Sequence, residues 1–234
     1  MVRPGTYGAR VADTVVIVGA GPGLGLAVAR RFVREGAAVA LIARNPQRLA
    51  GMVEELRAHA VRGSSAAAFV ADASDQAELR AALASVRAAL GDPTVLVHHL
   101  SIPVPGAPTG MPYEDFIAGL AGGIGALLVA AQELVPAMRA AGRGTVLATG
   151  GGLAFSPSVQ NAGIAVQKAG VRSLALSMAK ELQPAGIHVA TVTVLGVLQP
   201  GGYYDPDRVA EVYWELHNEP PDSWRTEVRY RRPE

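Results

Sequence analysis

The chain has 234 residues, half of them hydrophobic, and its 21 basic and 20 acidic side chains leave a net charge of +1. That balance leaves no electrostatic footprint for nucleic acid or for a charged membrane surface. The lack of cysteine excludes disulfides, thiol nucleophiles and thiolate metal sites together. The length suits one domain over residues 1–234, with enough apolar residues for a large core. The opening "MVRPGTYGARVAD" lacks the apolar centre of a signal peptide. The apolar run from Ile117 to Gln132 falls short of the roughly 18 residues that a membrane span needs. The expectation is a soluble cytoplasmic protein with no metal site.

Short β-branched runs alternate with longer helical patterns. "TVVIV" (14–18) precedes a predicted helix from about Gly23 to Arg34. "AVALIA" (38–43) leads to a helix in which Pro46 suits the first turn. "AAAFV" is followed by a helix that starts after Asp72 or Ser74, and "TVLVHHL" (94–100) by a proline-rich loop and one helix from about Tyr113 to Ala141. "GTVLAT" precedes a helix that carries Lys168 and runs to about Leu182. "IHVATVTV" (187–194), a loop, the helix "DPDRVAEVYWELH" and a last strand "TEVRY" close the chain. Apolar strands alternating with helices imply a single α/β domain, a doubly wound Rossmann-type parallel sheet of about seven strands with helices on both faces. Its ligand crevice lies beyond the carboxyl ends of the strands.

The first strand ends in "VGAGPGLGLAVA". Leu24 holds the place of the last glycine in the short dinucleotide fingerprint, and Gly19, Gly23 and Gly25 fit a longer spacing instead. Gly19 makes the exit from the strand, Gly23 lets backbone approach a pyrophosphate, and Gly25 allows close helix packing. Pro22 is tolerated because the first helical N–H groups have no internal partner, and those groups with the helix dipole suit phosphate. The alternative is an ordinary glycine-rich turn. Arg44 follows the second strand, where an NAD site places an acid for the ribose hydroxyl, so Arg44, with Arg48, favours a 2′-phosphate and NADP(H) over NAD(H). Asp72 is placed to accept from an adenine amino group, to cap the next helix, or both.

Taken together, "GAGPGLG", "ADASD", "TVLVHHL", "VQKAGVRSLALSMAKEL" and "GIHVATVTVLG" resemble the short-chain dehydrogenase/reductase family across nearly the whole chain. The resemblance implies a seven-stranded Rossmann-type sheet and interconversion of carbonyls and alcohols with a nicotinamide cofactor. It places Gly19, Pro22, Gly23, Leu24, Arg44, Asp72, Ala73, His99, Leu100, Lys168 and Gly196 along that cofactor, with a short substrate loop over 196–224. It also implies a tyrosine where Ile164 stands, a serine at Gly151 and an asparagine at Gly123, while "NNAG" reads His98, His99, Leu100, Ser101. Of the proton-handling set only Lys168 remains, left with the task of gripping the nicotinamide ribose.

Losing a positioned general acid removes about 10²–10⁴ in rate, and losing an oxyanion donor a further factor of roughly 10². His98 and His99 end the fourth strand facing opposite ways, so one of them reaches the cofactor, and His99 is the candidate substitute acid. Thr149, Ser156, Ser158, Gln160 and Asn161 offer hydrogen bonds but no natural acid. Tyr203 and Tyr204 belong to a lid, an interface or, less simply, a catalytic phenol. Two readings stay open: an NADP(H)-dependent oxidoreductase with a degenerate catalytic set, acting on a small-molecule substrate, and a non-catalytic dinucleotide-binding sensor or scaffold. Gly119, Gly122, Gly123 and Gly125 fall inside one predicted helix, each costing about 1 kcal/mol against alanine. Close approach of another helix would compensate them. By the resemblance that helix comes from a homodimer or homotetramer partner; the alternative is packing within the chain. Trp214 and Trp224 are expected to anchor the C-terminal helix and its exit.

Overall fold

The computed structural model describes residues 12–233. Seven strands form one parallel sheet: β1 (Thr14–Val18), β2 (Ala38–Ala43), β3 (Ser65–Val70), β4 (Val95–His98), β5 (Gly144–Gly151), β6 (Ile187–Val194) and β7 (Glu227–Tyr230). Their order across the sheet is β3-β2-β1-β4-β5-β6-β7, so the chain changes direction of travel between β1 and β4. Val16 of β1 lies between Ala40 of β2 and Leu96 of β4. The unbroken apolar runs of the inner strands follow from burial on both faces. Val15 and Ile17 of β1 join a core with Phe32, Leu49 and Tyr213, and the alternate residues Val16 and Val18 join another with Leu83, Leu127 and Val171.

The helices are α1 (Leu24–Val33), α2 (Pro46–Ala58), α3 (Gln76–Leu90), α4 (Tyr113–Leu120), α5 (Ala126–Ala141), α6 (Ala162–Leu182) and α7 (Pro206–His217). Asn45 caps α2 by accepting from the Arg48 N–H, with Pro46 in the first turn as predicted. The cap of α3 is Asp75, whose carboxylate accepts from the N–H groups of Ala77 and Glu78. Asp72 is therefore not the cap: its carboxylate is turned onto Ser74, accepting from both N–H and hydroxyl at 2.9 and 2.6 Å.

The single helix expected over 113–141 contains one π-helical turn, Ala121–Gly125, between α4 and α5. Gly119, Gly122 and Gly123 are accounted for within the chain, whereas a Cβ on Gly125 would meet only the Leu120 carbonyl of the preceding turn, at 3.7 Å. A Cβ on Gly122 would meet Ile102 at 2.5 Å, one on Gly123 would meet the Gln167 amide at 2.4 Å, and one on Gly119 would meet Val104 at 2.5 Å. The close approach inferred for a partner's helix is thus made by α6 and by the loop after β4. Among the described residues this is the one helix long and apolar enough to cross a membrane, by length and composition alone. Leu127, Ala130, Leu134 and Met138 on its buried side belong to the core.

α7 packs on α1, where Arg30 and Arg31 pair with Asp207 and Glu211 at 2.6 and 2.8 Å. Trp214 sits edge-on to Phe32 at 5.3 Å and beneath Arg31, and Trp224 stacks on His188 at 4.9 Å, so both tryptophans anchor as expected. At the foot of the sheet Asp13 accepts from Thr94 at 2.7 Å and faces His217 Nε2 at 3.1 Å, while His217 Nδ1 meets the Thr145 hydroxyl at 2.9 Å. Four segments far apart in the chain are tied there.

Burial alone would raise the Asp13 pKa. The hydrogen bonds from His217 and Thr94 and the charges of His217 and Arg143 outweigh it and bring the pKa to about 2, below its ordinary 3.8. A depressed carboxylate contributes stability that is present above its unfolded value and is lost as pH falls through the folded one. Urea midpoints measured from pH 5 to pH 2 should show the native chain losing its advantage over Asp13→Asn, on the order of 2 kcal/mol at the upper end of the window.

Candidate functional site

Gly19 leaves β1 with φ +84°, and a Cβ there would lie 2.5 Å from the His99 carbonyl oxygen. Only glycine combines that backbone with that contact. The turn delivers the chain to α1, which starts at Leu24; the Leu26 N–H donates back to the Gly21 carbonyl at 2.9 Å, and the N–H groups of Leu24 and Gly25 precede the first helical bond. No heavy atom stands within 4 Å of where a Cβ on Gly21 or Gly23 would sit, so the outer side of the turn is open. A Cβ on Gly25, in contrast, would stand 3.3 Å from Cδ2 of the His99 ring, which confirms close packing at that glycine.

Two cavities meet at this end of the sheet. The first, about 730 Å³, lies over the β1/β4 reversal and brings together Gly19, Arg44, Asp72, Ala73, His99, Leu100 and Lys168. The second, about 820 Å³, lies beyond β5 and β6 and holds Leu24, Gly151, Ile164 and Gly196, again with His99 and Lys168. Those two side chains form the shared wall. Pro22 and Gly23 stand on the exposed lip of the turn and line neither cavity. Of the 196–224 segment, residues 196–198 reach the second cavity, while α7 is spent on α1.

Arg44 is 69% exposed and lies 3.7 Å from the Asp72 carboxylate. Ser74 is the largest influence holding Asp72 below the usual carboxylate range, with Arg44 assisting. An exposed pair at that distance is weak, which leaves the guanidinium free to turn toward an anion. Lys168 donates to the Thr149 carbonyl at 2.9 Å, and desolvation by burial lowers its pKa from 10.5 to about 8. No carboxylate of the described residues is paired with it.

The histidines divide as their alternation predicted. His98 is fully buried on the α4–α5 side, and neither ring nitrogen has a hydrogen-bond partner. Burial, then the charges of Lys168 and His99, push its pKa down to about 3, opposed only by the Gly122 backbone. His99 turns into the cavities, its Nδ1 3.0 Å from the Thr149 hydroxyl, which in turn meets the buried Tyr213 hydroxyl at 2.7 Å. Burial and then the Lys168 charge lower the His99 pKa to about 4. The ring is thus neutral at physiological pH and is not the imidazolium acid that its ordinary pKa of 6.5 suggested.

The phenols after β6 are committed elsewhere. Tyr203 donates to the Arg231 carbonyl at 2.6 Å and Tyr204 to the Leu195 carbonyl at 2.9 Å, in a cluster with Tyr230. Tyr204 also fills the space over Gly196, where a Cβ would lie 2.3 Å from its ring. Neither phenol lines the second cavity. Thr149 and Ser156 do line it; Ser158 and Asn161 bond each other outside.

Sequence reasoning missed Gln167. Its amide accepts from the Ile102 N–H at 2.9 Å and donates to the Ile102 carbonyl at 2.8 Å, holding the loop that floors the first cavity. The amide occupies the volume a side chain on Gly123 would need. A buried glutamine one residue before Lys168, on a helix facing a glycine run, was the available signal. Tyr213 was missed as well, because its partner Thr149 lies 64 residues away in the chain.

The sequence profile described as short chain dehydrogenase matches residues 13–201. A 2,5-dichloro-2,5-cyclohexadiene-1,4-diol dehydrogenase of Sphingobium indicum is 29% identical over 198 residues, 84% of this chain and 76% of its own. A 2-dehydro-3-deoxy-L-rhamnonate dehydrogenase (NAD(+)) of a Sphingomonas species is 31% identical over 195 residues, 82% of this chain and 74% of its own. Among solved structures, a metagenomic short-chain oxidoreductase in complex with NADP superposes with a TM-score of 0.83 at 28% identity, covering 93% of this chain and 96% of that one.

Gln167→Ala leaves both backbone groups of Ile102 unpaired and opens a void beside Gly123, a loss of about 1–3 kcal/mol for each unsatisfied group. Chemical denaturation should show Gly123→Asn destabilising the native chain, where it strikes Gln167, yet restoring part of the loss in the Gln167→Ala background.

Proposed function

Because the chain belongs to the short-chain dehydrogenase/reductase family, we propose that it is an NADP(H)-dependent oxidoreductase interconverting a carbonyl and an alcohol with a reduced catalytic set. The observation that carries this reading is the pair of cavities joined by Lys168 and His99 at the β1/β4 reversal. The residues present fit a dinucleotide. The open turn at Gly21 and Gly23, with the N–H groups of Leu24 and Gly25 at the start of α1, suits the pyrophosphate. Arg44 suits a 2′-phosphate, Asp72 and Ala73 border the adenine, and Lys168 reaches the nicotinamide ribose. The bound coenzyme supplies the hydride.

The chain's own residues orient and handle the proton. Ile164 and Gly151 offer neither a proton nor an oxygen, and they stand where the family's tyrosine and serine are expected. Lys168, with a pKa near 8, is still largely protonated at neutral pH and can give a proton at Nζ. Neutral His99, oriented through Thr149 and Tyr213, can hold an N–H toward the cavity. Ile164 and Gly151 equally favour the second reading, a sensor or scaffold that binds the dinucleotide without turnover. In either case the protein works in the cytoplasm as a homodimer or homotetramer. The exposed apolar side chains Tyr113, Ile117, Leu128 and Val166 on α4, α5 and α6 support the assembly.

A thermal-shift titration separates the coenzymes. NADPH should raise the melting temperature more than NADH, by the equivalent of about 2.7 kcal/mol at a hundredfold excess over Kd. Arg44→Ala should erase the difference. NADPH oxidation is then followed with a panel of apolar aldehydes and ketones, and Lys168→Met should lower any turnover by roughly 10² or more. A clear NADPH shift with no turnover selects the sensor reading, and no shift with either coenzyme overturns both.

A further inference from the structure

The second cavity contains an amine that nothing neutralises. Lys168 crosses the face of Gly151, where a Cβ would lie 3.6 Å from its Cγ and 3.7 Å from its Cδ and Cε. Because residue 151 is glycine and residue 164 is isoleucine, the lysine stem and its nitrogen are left as cavity wall instead of being covered by polar side chains. The remaining wall is apolar around Leu153, Phe155, Ile164, Val197 and Leu198. Phe155 at the mouth is held between the guanidinium groups of Arg172 and Arg229, at 4.9 and 4.3 Å, and both of those charges are answered by Glu227. Lys168 has one hydrogen bond, to the Thr149 carbonyl in the strand behind it. A neutral amine keeps that bond and leaves its lone pair unused.

We propose that Lys168 is a carbonyl-capturing amine, forming a reversible imine with aldehydes or unhindered ketones that carry an apolar chain into the second cavity. The Nζ lone pair attacks the carbonyl carbon, and a proton passes from nitrogen to oxygen to give a carbinolamine. Loss of water then forms the C=N bond; the carbonyl oxygen and both amine hydrogens leave as that water, and no electrons are transferred. Burial in apolar surroundings is a known way to make a lysine nucleophilic. A pKa near 8 leaves a neutral fraction on the order of a hundredfold larger than that of an ordinary lysine at pH 7. His99, neutral and in the same cavity, can pass the protons of the dehydration step. The capture needs no coenzyme and so goes beyond the oxidoreductase reading, although both use Lys168.

The sequence makes the test selective, because the chain has only two lysines, Lys168 and Lys180, among its 21 basic residues. Lys180 is exposed on the same helix and serves as the internal reference. The full chain is treated with hexanal and cyanoborohydride, which traps an imine as a stable hexyl-amine, and peptide mapping by mass spectrometry assigns the added mass. At pH 8 Lys168 should label at least about tenfold faster than Lys180, the preference expected from a pKa lowered by more than one unit. The preference should vanish in urea, and Lys168→Arg should lose the adduct while Lys180 still labels. Labelling of Lys168 no faster than that of Lys180, or a preference that survives unfolding, overturns the proposal, and the native chain alone provides both readings should the variant not fold. The NADPH thermal shift reports coenzyme binding separately. An adduct without a shift sustains the capture and sinks the coenzyme reading, and a shift without an adduct does the reverse.

Discussion

The contact between residue 19 and the His99 carbonyl is the constraint from which the site follows. β1 and β4 are neighbours in the sheet although helices and two other strands separate them in the chain, and their ends must part to open a crevice. At that parting the backbone of Gly19 lies so close to His99 that no side chain fits between them. The turn therefore hugs the end of β4, its outer side at Gly21 and Gly23 stays open, and the His99 ring is wedged over Gly25. From there the imidazole reaches Thr149 on β5, and Thr149 reaches Tyr213 on α7. One steric requirement thus fixes the glycine turn and the ring that divides the two cavities.

Around the two histidines, electrostatics are set by Lys168, a buried cation with no carboxylate partner among the described residues. Burial makes charge expensive here, and the Lys168 ammonium makes a second positive charge more so, which keeps both histidines neutral. A carboxylate beside Lys168 would have held its proton firmly. The Thr149 carbonyl orients the nitrogen but cannot hold the proton as a charge would, so the amine titrates much closer to neutrality. Ile164 and Gly151, which line the same cavity as Lys168, bring no charge to it. Such surroundings set what Lys168 is chemically.

Glycines in the middle of a long apolar helix invite an explanation outside the chain, and the structure supplies one inside it. Gly119, Gly122 and Gly123 make room for Val104, Ile102 and Gln167, and the helix loosens into a π turn where they cluster. The amide of Gln167 then takes the space and the hydrogen-bonding task that a side chain at residue 123 could have had. This exchange between two helices is invisible to a motif read along one of them.

The sequence by itself determined the layered sheet, the strand order's reversal and the glycine turn after β1, because each rests on local rules. Runs such as "TVVIV" require burial on both faces, Pro46 suits a first helical turn, and Gly19 is suited to the left-handed exit from a strand. It also put Ile164 and Gly151 at positions where neither side chain can carry a proton, wherever it points. What only the tertiary structure decided is how the remaining groups behave. His99 is neutral because Lys168 and apolar walls surround it, Tyr203 and Tyr204 are spent on backbone carbonyls, and Asp13 is held by a histidine 204 residues along the chain. Protonation and hydrogen-bond partnership depend on the few ångströms around a group, and residues far apart in the chain supply that surrounding.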